Sequence, residues 1–118
     1  MKEVEIKNIN RMLKHIDKIL DYTQNSTHED DFNQSSMLVE AVVFNLAQIG
    51  EISKYGISDS TKSAYQTVPW REMNGLRNKM IHDYDQVDMS IVYETVKNDL
   101  KPLKNILIKM LTKMKETA

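Results

Sequence analysis

The stretch from 77 to 84 holds four side chains within eight residues that could act together on a charged substrate. Arg77 supplies a permanent cation, and Asn78 supplies an amide. His82 can exchange a proton near neutral pH. Tyr84 carries a phenol that a modifying enzyme could use. This stretch, called the 77–84 motif below, predicts a site that binds an anion and moves a proton.

Cleavage of RNA is one reaction that suits these side chains. RNA brings its own nucleophile, the 2′-hydroxyl, so the reaction needs a base that titrates near neutral pH rather than a metal ion. It also needs a cation on the transition state, and a forked guanidinium suits that role better than an ammonium. The spacing alone leaves a structural alternative open, in which His82 only satisfies a carbonyl at the end of a helix.

Helix geometry limits how the motif can act. Each residue of an ideal helix advances by about 100°, so Asn78 and His82 share a face, whereas Arg77 and His82 point about 140° apart. One undistorted helix therefore cannot aim Arg77, His82 and Tyr84 at a single point. Either the helix ends near His82 and Tyr84 lies in the following loop, or two copies of the chain complete the site across a dimer. Both devices can operate together.

Composition predicts an all-α fold. The chain has 118 residues, of which 41% are hydrophobic, and it contains only three glycines and two prolines. A chain of this length forms one domain, here 1–118, with a real core. It has no cysteine, and its one run of possible metal ligands, 28–31, is sequential and flexible. We therefore expect neither a metal site nor a cofactor.

Net charge and hydropathy limit the kinds of partner that the sequence predicts. The net charge of −1 gives no global attraction to nucleic acid, so RNA binding must rest on a local patch. Five lysines and no acid between 101 and 115 could form such a patch, or could simply be a solvated helix face. No apolar run approaches the ~20 residues that span a bilayer. The charged N-terminus does not suit a signal peptide, so we expect a cytoplasmic protein without membrane contact.

Apolar periodicity predicts an up-and-down bundle of four principal helices, with room for one short extra helix between the second and the third. Helix 1 is expected at about 4–23 and helix 2 at about 31–55. The connection at 57–67 could hold one helical turn after Ser58 or Ser60. Helix 3 begins at Pro69, and helix 4 begins at the Asp88 cap and keeps its apolar period to 111.

The positions of the glycines and of one proline add local predictions. Gly56 is placed to end helix 2 as a left-handed cap, and Gly50 and Gly75 indicate close packing. Pro102 should interrupt the helix 4 hydrogen-bond ladder and kink it.

Helix 2 is apolar over most of its circumference, so it is either central or covered by a partner chain. Asn45, Gln48 and Glu51 step along it at three-residue intervals. They could form its solvent stripe, which we favour for Gln48, or face the site, which stays open for Asn45 and Glu51.

Four segments resemble one family. The motif has the pattern Arg-x4-His-x-Tyr, which is similar to the signature of the HEPN superfamily, and its surroundings resemble the HepT-like branch, also described as DUF86. The likeness covers about 37–111 and departs from the pattern in the short 57–67 connection and at Ile52-Ser53. The segments are FNLAQIGE at 44–51, VPWREM at 68–73, LRNKMIHDY at 76–84 and VYETVKNDLKPL at 92–103.

The resemblance implies a helical ribonuclease, typically the toxin of a two-gene module of the type VII kind. Its partner would be a minimal nucleotidyltransferase that acts as antitoxin. Arg77 and His82 would be the catalytic pair, Asn78 would order the site, and Tyr84 would accept AMP from the partner. The family also implies a homodimer in which the two motifs face one cleft.

The sequence thus predicts a metal-independent endoribonuclease toxin that acts on RNA, not on DNA. The alternative is a non-catalytic helical protein that partners with the nucleotidyltransferase and is modified by it. The combination of Arg77, His82 and Tyr84 favours the enzyme, because a scaffold has no need of the first two.

Overall fold

The structure is a computed structural model that describes residues 2–82 and 84–117. Within these residues every regular element is a helix, which confirms the predicted all-α fold. A 3₁₀ turn at Tyr84–Gln86 and a π-helical turn at Thr95–Asp99 complete the order of elements. The α-helices are α1 (Lys2–Tyr22), α2 (Glu29–Asn33), α3 (Ser36–Gly56), α4 (Asp59–Ala64), α5 (Trp70–His82), α6 (Met89–Glu94) and α7 (Leu100–Glu116).

Four long helical segments form the bundle, and α3 lies at its centre. α3 packs against α1 on one side and against α5 on the other, while α7 packs against α1. Side chains that are fully removed from solvent come from α1, α2, α3 and the α6–α7 segment. They include Ile9, Met12, Ile16, Ile19, Phe32, Val42, Val92 and Leu107. Because α5 is held mainly by α3, the geometry of that one contact positions the motif.

The prediction of a single second helix is wrong, because the segment divides into α2 and α3. The Ser35 hydroxyl accepts the backbone N–H of Leu38 at 3.2 Å and so begins a new helix. The break lets α2 turn Phe32 into the core, where its ring centroid lies 5.8 Å from that of Tyr93. The first helix, by contrast, runs as predicted to within two residues at its start.

The expected short helix in the 57–67 connection is confirmed as α4. The Ser58 hydroxyl caps it by accepting the N–H of Thr61. The buried carboxylate of Glu5 in α1 accepts the Ser58 N–H at 2.6 Å and the Thr61 hydroxyl at 2.7 Å. Burial alone would raise the pKa of Glu5, but these hydrogen bonds outweigh it and hold the pKa below its ordinary value. Glu5 therefore ties the connection to α1.

The three glycines behave differently from one another. A Cβ at Gly50 would lie 2.3 Å from Cβ of Arg77, so the predicted close approach is confirmed there. Gly56 does not have a positive φ, so the predicted left-handed cap is wrong; a side chain there would instead meet Asn8. Gly75 has no neighbouring atom within 4 Å of a built Cβ, so the predicted tight packing is wrong as well.

The last helical segment begins as predicted and is interrupted near Pro102. The Asp88 carboxylate caps α6 by accepting the Ser90 N–H at 2.9 Å, and the bonds from Ser90 lower the pKa of Asp88. Pro102 has no N–H to donate to the carbonyl of Asn98. The interruption takes the form of the π-helical turn at Thr95–Asp99, a common adjustment where a helical ladder is disturbed.

Candidate active site

The motif helix α5 ends at His82, as one of the two predicted arrangements requires. Arg77 is buried at 8% exposure, Asn78 is half-buried, and His82 is exposed as the last residue of the helix. Tyr84 begins the 3₁₀ turn that follows. The side chain of Tyr84 and all of Asp83 lie outside the part of the chain that the structure describes.

Gly50 and Glu51 of α3 fix the position of Arg77. The absence of a side chain at Gly50 lets the Arg77 stem lie directly against the α3 backbone. The Nε and one terminal nitrogen of Arg77 both contact Oε1 of Glu51, and the other terminal nitrogen donates to Oδ1 of Asn78 at 2.7 Å. These partners settle the open question about Glu51, which faces the Arg77 side chain and not only solvent.

These contacts leave part of the N–H donors of Arg77 available for a ligand. A guanidinium has five N–H donors, and the contacts with Glu51 and Asn78 engage three of its nitrogens but only part of its hydrogens. The remaining donors on the two terminal nitrogens form a fork that suits a phosphate. The Glu51 carboxylate, whose side chain is 31% exposed, balances the Arg77 charge. Glu51 and Asn78 thus orient Arg77 and leave part of its donors unengaged.

His82 is exposed, and its ring makes no hydrogen bond to a carbonyl or a side chain in the part of the chain that the structure describes, which leaves out Asp83 and the side chain of Tyr84. The structural alternative, in which His82 satisfies a carbonyl at the helix end, therefore gains no support. An exposed imidazole can reach a bound substrate and exchange a proton with it.

Arg77 lies in a polar groove of about 670 Å³ that crosses α1, α3 and α5. His82 is not part of this groove, which agrees with the angular argument that one helix cannot aim both side chains at one point. We call it the Arg77 groove below. Its lining residues are Asn8, Arg11, Gln48, Glu51, Ile52, Tyr55, Gly56, Arg77 and Ile81.

Several residues of the groove escaped the sequence analysis. Asn8 and Arg11 of α1 and Tyr55 of α3 carry no motif, and only their helical spacing could have placed them on facing surfaces. Gln48, favoured as a solvent residue, is half-buried and lines the same groove. The site is therefore broader than the motif.

Asn45 has a structural role. It is buried, its Nδ2 donates to the carbonyl of Ala41 at 2.7 Å, and its Oδ1 lies 2.7 Å from Nδ1 of His15. Since the amide oxygen can only accept, Nδ1 of His15 is the donor. The pair joins α1 to α3 away from Arg77 and answers the open question about Asn45.

A second groove of about 640 Å³ separates α5 from α6 and α7. Its walls are mostly apolar, with Met73, Leu76 and Leu103 among them, and neither Arg77 nor His82 contributes to it. The lysines between 101 and 115 are mostly exposed along α7, and Lys104 pairs with Asp17 at 2.7 Å. Neither feature extends the candidate site.

The described residues contain neither a cluster of metal ligands nor a helix that could cross a membrane. Residues 2–82 and 84–117 contain no group of three or more His, Asp or Glu side chains that could hold a metal ion. None of the helices in these ranges combines the length and hydrophobicity that crossing a bilayer needs.

The helical bundle, with an Arg-x4-His motif at the end of α5, has the arrangement expected of a HEPN domain. The sequence model of the family described as "Ribonuclease HepT-like" matches residues 12–110 of the chain. The chain therefore belongs to the HepT-like family, which confirms the resemblance read from its motifs.

Relatives of known name support this membership. A Thermococcus cleftensis protein named "Probable ribonuclease HepT" is 36% identical over 95 residues, which cover 78% of this chain and 86% of the relative. A Methanocaldococcus jannaschii protein named as a candidate RNase is 32% identical over 93 residues, which cover 79% and 84%. No solved structure matches the chain.

One further relative is longer. A Methanocaldococcus jannaschii protein, named as a gamma-glutamylcyclotransferase and candidate RNase, is 34% identical over 106 residues. The match covers 90% of this chain but 47% of the relative, so the chain spans about half the length of that protein.

Proposed function

We propose that this protein is a metal-independent endoribonuclease, the toxin of a two-gene module in the cytoplasm. The observation that carries the proposal is the end of α5, where Arg77 is held by Glu51 with part of its fork free and His82 is exposed one turn later. A chain of the HepT-like family with this pair has the groups that RNA cleavage needs.

In the proposed reaction, the 2′-hydroxyl oxygen of RNA attacks the adjacent phosphorus and the bond to the 5′-oxygen breaks. His82 accepts the 2′-hydroxyl proton or protonates the departing 5′-oxygen. The free donors of Arg77 bind the phosphate oxygens as negative charge grows on them. Glu51 and Asn78 keep the guanidinium in place, so little reorganisation is needed during the reaction. The products are a cyclic 2′,3′-phosphate and a 5′-hydroxyl end.

RNA cleavage in chelator tests this function. Purified protein should cut a single-stranded RNA in EDTA, leave DNA of the same sequence intact, and produce cyclic phosphate ends. A single 2′-deoxy substitution at the cleaved position should stop the cut there, because the nucleophile is gone. Activity that requires Mg²⁺ or Mn²⁺ would contradict the mechanism, and absence of any cleavage would favour the non-catalytic alternative.

A homodimer with a shared site is the second part of the proposal. Met37 and Phe44 lie seven residues apart on the outer face of α3 and are 81% and 59% exposed, which is costly for large apolar side chains. Ile81 of α5, beside the motif, is also exposed. A second copy packed on these side chains would cover them and bring the two α5 ends together. This would supply His82 of one copy to Arg77 of the other.

Sedimentation tests the dimer. Phe44→Glu should give a monomer with little activity, because a charge cannot be buried in an apolar contact. Ile108→Glu is the matched control, because Ile108 is an exposed apolar residue on α7. A fully active monomer would contradict this part of the proposal.

Mixing variants tests whether the site is shared. Arg77→Ala protein and His82→Ala protein should each be inactive, yet a refolded mixture should recover partial activity, because mixed dimers contain one site with both groups intact. No recovery from a mixture that forms mixed dimers would place the complete site within one chain.

Control by adenylylation is the third part of the proposal. A partner nucleotidyltransferase would transfer AMP from ATP to the Tyr84 hydroxyl, with release of pyrophosphate. Tyr84 follows His82 by two residues and begins the 3₁₀ turn, so AMP there would place an anion where the RNA phosphate must lie. Size and charge repulsion would then exclude the substrate.

Mass spectrometry tests this assignment. The wild-type protein, incubated with the nucleotidyltransferase and ATP, should gain AMP and lose ribonuclease activity. Tyr84→Phe should do neither, since it lacks the acceptor oxygen. Equal labelling of that variant, or label found on Tyr22 or Tyr93, would refute the assignment.

A further inference from the structure

The Arg77 groove is lined by polar and aromatic side chains that take no part in the proposed reaction. Its α1 wall carries Asn8 and Arg11, and its α3 wall carries Gln48 and Tyr55. We infer that these residues form a second subsite, which binds the nucleotide next to the scissile phosphate of a single-stranded RNA. This inference rests on the proposed function and deepens it.

Arg11 is held at the groove by Asn8. The Asn8 amide donates to the carbonyl of Gly56 at 2.9 Å, and its oxygen accepts from a terminal nitrogen of Arg11 at 3.2 Å. A side chain at Gly56 would meet Nδ2 of Asn8 at 2.8 Å, so the glycine leaves room for this bridge. Asn8 thus tethers an exposed guanidinium to the end of α3, beside Arg77.

The two arginines of the groove differ in whether a carboxylate neutralises them. Arg77 is paired with Glu51, whereas within residues 2–82 and 84–117 no carboxylate lies within ion-pair distance of Arg11. Arg11 also keeps most of its five donors, because Asn8 engages only one terminal nitrogen. An exposed, uncompensated guanidinium with free donors is suited to a phosphate that arrives from solution. Arg11 therefore fits a second phosphate and Arg77 the scissile one.

Tyr55 provides an aromatic surface at the same groove. It is 70% exposed, and two cations lie near its ring: the Arg77 guanidinium carbon is 5.7 Å from the ring centroid and Nζ of Lys54 is 5.4 Å from it. Exposed aromatic rings beside cations are the stacking platforms of proteins that bind single-stranded RNA. The half-buried amide of Gln48 lies in the same groove and can bond a base edge. Stacking on Tyr55 with phosphate on Arg11 would accommodate one nucleotide.

The combination favours RNA over a protein partner. A guanidinium, an amide and an exposed aromatic ring around one polar groove match the phosphate, base edge and base face of an unpaired nucleotide. The net charge of −1 makes this local cluster more important, because the protein as a whole does not attract RNA.

Binding measurements in the His82→Ala protein test the subsite without cleavage. Affinity for a labelled single-stranded RNA should fall about tenfold in Arg11→Ala, and the salt dependence of log Kd should lose about one phosphate contact. Arg71→Ala is the matched control: Arg71 is an exposed arginine on α5 that lines neither groove. Tyr55→Leu should weaken binding about tenfold, whereas Tyr55→Phe should bind as the parent does, because the stacking ring remains.

Three outcomes would overturn this inference alone, and a fourth would overturn the proposed function as well. Equal effects of Arg11→Ala and Arg71→Ala would mean that only overall charge matters. Unchanged RNA affinity in Arg11→Ala, with weakened binding of the nucleotidyltransferase instead, would make the surface a protein contact. Loss of thermal stability in Tyr55→Leu without loss of affinity would make Tyr55 a cover for the Arg77–Glu51 pair. A His82→Ala protein that binds no RNA at all would refute the proposed function itself, and the subsite with it.

Discussion

Gly50 and Gly75 form a matched pair of helical glycines for which the structure predicts opposite effects of the same substitution. Replacing glycine by alanine inside a helix gains about 1 kcal/mol of intrinsic propensity. At Gly75, where no packing neighbour among the described residues has an atom within 4 Å of the new Cβ, that gain should be realised in full. At Gly50 the new Cβ would lie 2.3 Å from Cβ of Arg77 and 3.2 Å from the carbonyl oxygen of Met73.

The change in stability caused by Gly50→Ala depends on neighbouring groups that cannot move freely. Cβ of Arg77 belongs to the stem of α5, and the Met73 carbonyl is backbone, so α5 must shift away from α3. Overpacking of this kind costs roughly 1–3 kcal/mol. After the propensity gain, Gly50→Ala should lose up to about 2 kcal/mol, while Gly75→Ala should gain about 1 kcal/mol. For a domain of this size the melting temperature should fall by up to about 8 °C in Gly50→Ala and rise by about 4 °C in Gly75→Ala.

Thermal unfolding followed by circular dichroism, with urea titration at 25 °C, measures both variants against wild type. Ribonuclease activity at a temperature where all three are folded adds a second readout. Gly50→Ala should be impaired because Arg77 is displaced from Glu51, and Gly75→Ala should not. If Gly50→Ala is as stable as Gly75→Ala, the close contact between α3 and α5 is not as described and the positioning of Arg77 must be reconsidered.

Two further predictions concern the carboxylates of Glu51 and Glu5. Glu51→Gln should lower the free energy of unfolding by about 1–2 kcal/mol, less than for a fully buried pair because Glu51 is partly exposed, and an unchanged urea midpoint would contradict the pairing with Arg77. Glu5 has a pKa lowered below its ordinary value of 4.5, so its stabilising effect is present above that pH and is lost as the pH falls through the lower folded value. Urea titrations at a series of pH values from about 6 to about 3 measure this effect. Over that range the free energy of unfolding should fall less with pH in Glu5→Gln than in wild type, and an equal fall in both proteins would refute the role of Glu5.

The bundle was predictable because its signals are local. Apolar residues recur with helical period along α1 and α7, and caps such as Ser58 and Asp88 mark where helices begin. The break between α2 and α3 was missed although the chain from 33 to 36 is polar and Ser35 is a residue type that caps helices. The buried position of Phe32 shows what the turn achieves, and that position depends on tertiary packing.

The glycines show where sequence reasoning fails. A glycine at a helix end and a glycine within a helix have several physical explanations, and the choice depends on what lies opposite. Gly50 faces Arg77, Gly56 faces Asn8, and Gly75 faces no described neighbour within 4 Å of its built Cβ. No pattern in the surrounding sequence distinguishes these three cases.

The residue types of the candidate site remain a prediction from the motif, whereas the side chains that pack around Arg77 are known only from the fold. Angular spacing within one helix correctly separated Arg77 from His82, and α5 does end at His82. Glu51 was an open possibility, and its pairing with Arg77 depends on how α3 and α5 pack. Arg11 and Tyr55 belong to helices without a motif, so only the folded chain brings them to the groove.

The central claim, that Arg77 and His82 form a ribonuclease site, is tested most directly by one rate measurement. Purified wild type, His82→Ala and Arg77→Ala are compared on the same RNA in EDTA, with His28→Ala and Arg71→Ala as controls of the same residue types outside the groove. His82→Ala should slow cleavage about a hundredfold or more, Arg77→Ala should be similarly impaired, and both controls should cleave at the wild-type rate, with helix content unchanged throughout. Cleavage by folded His82→Ala protein at the wild-type rate would contradict the claim.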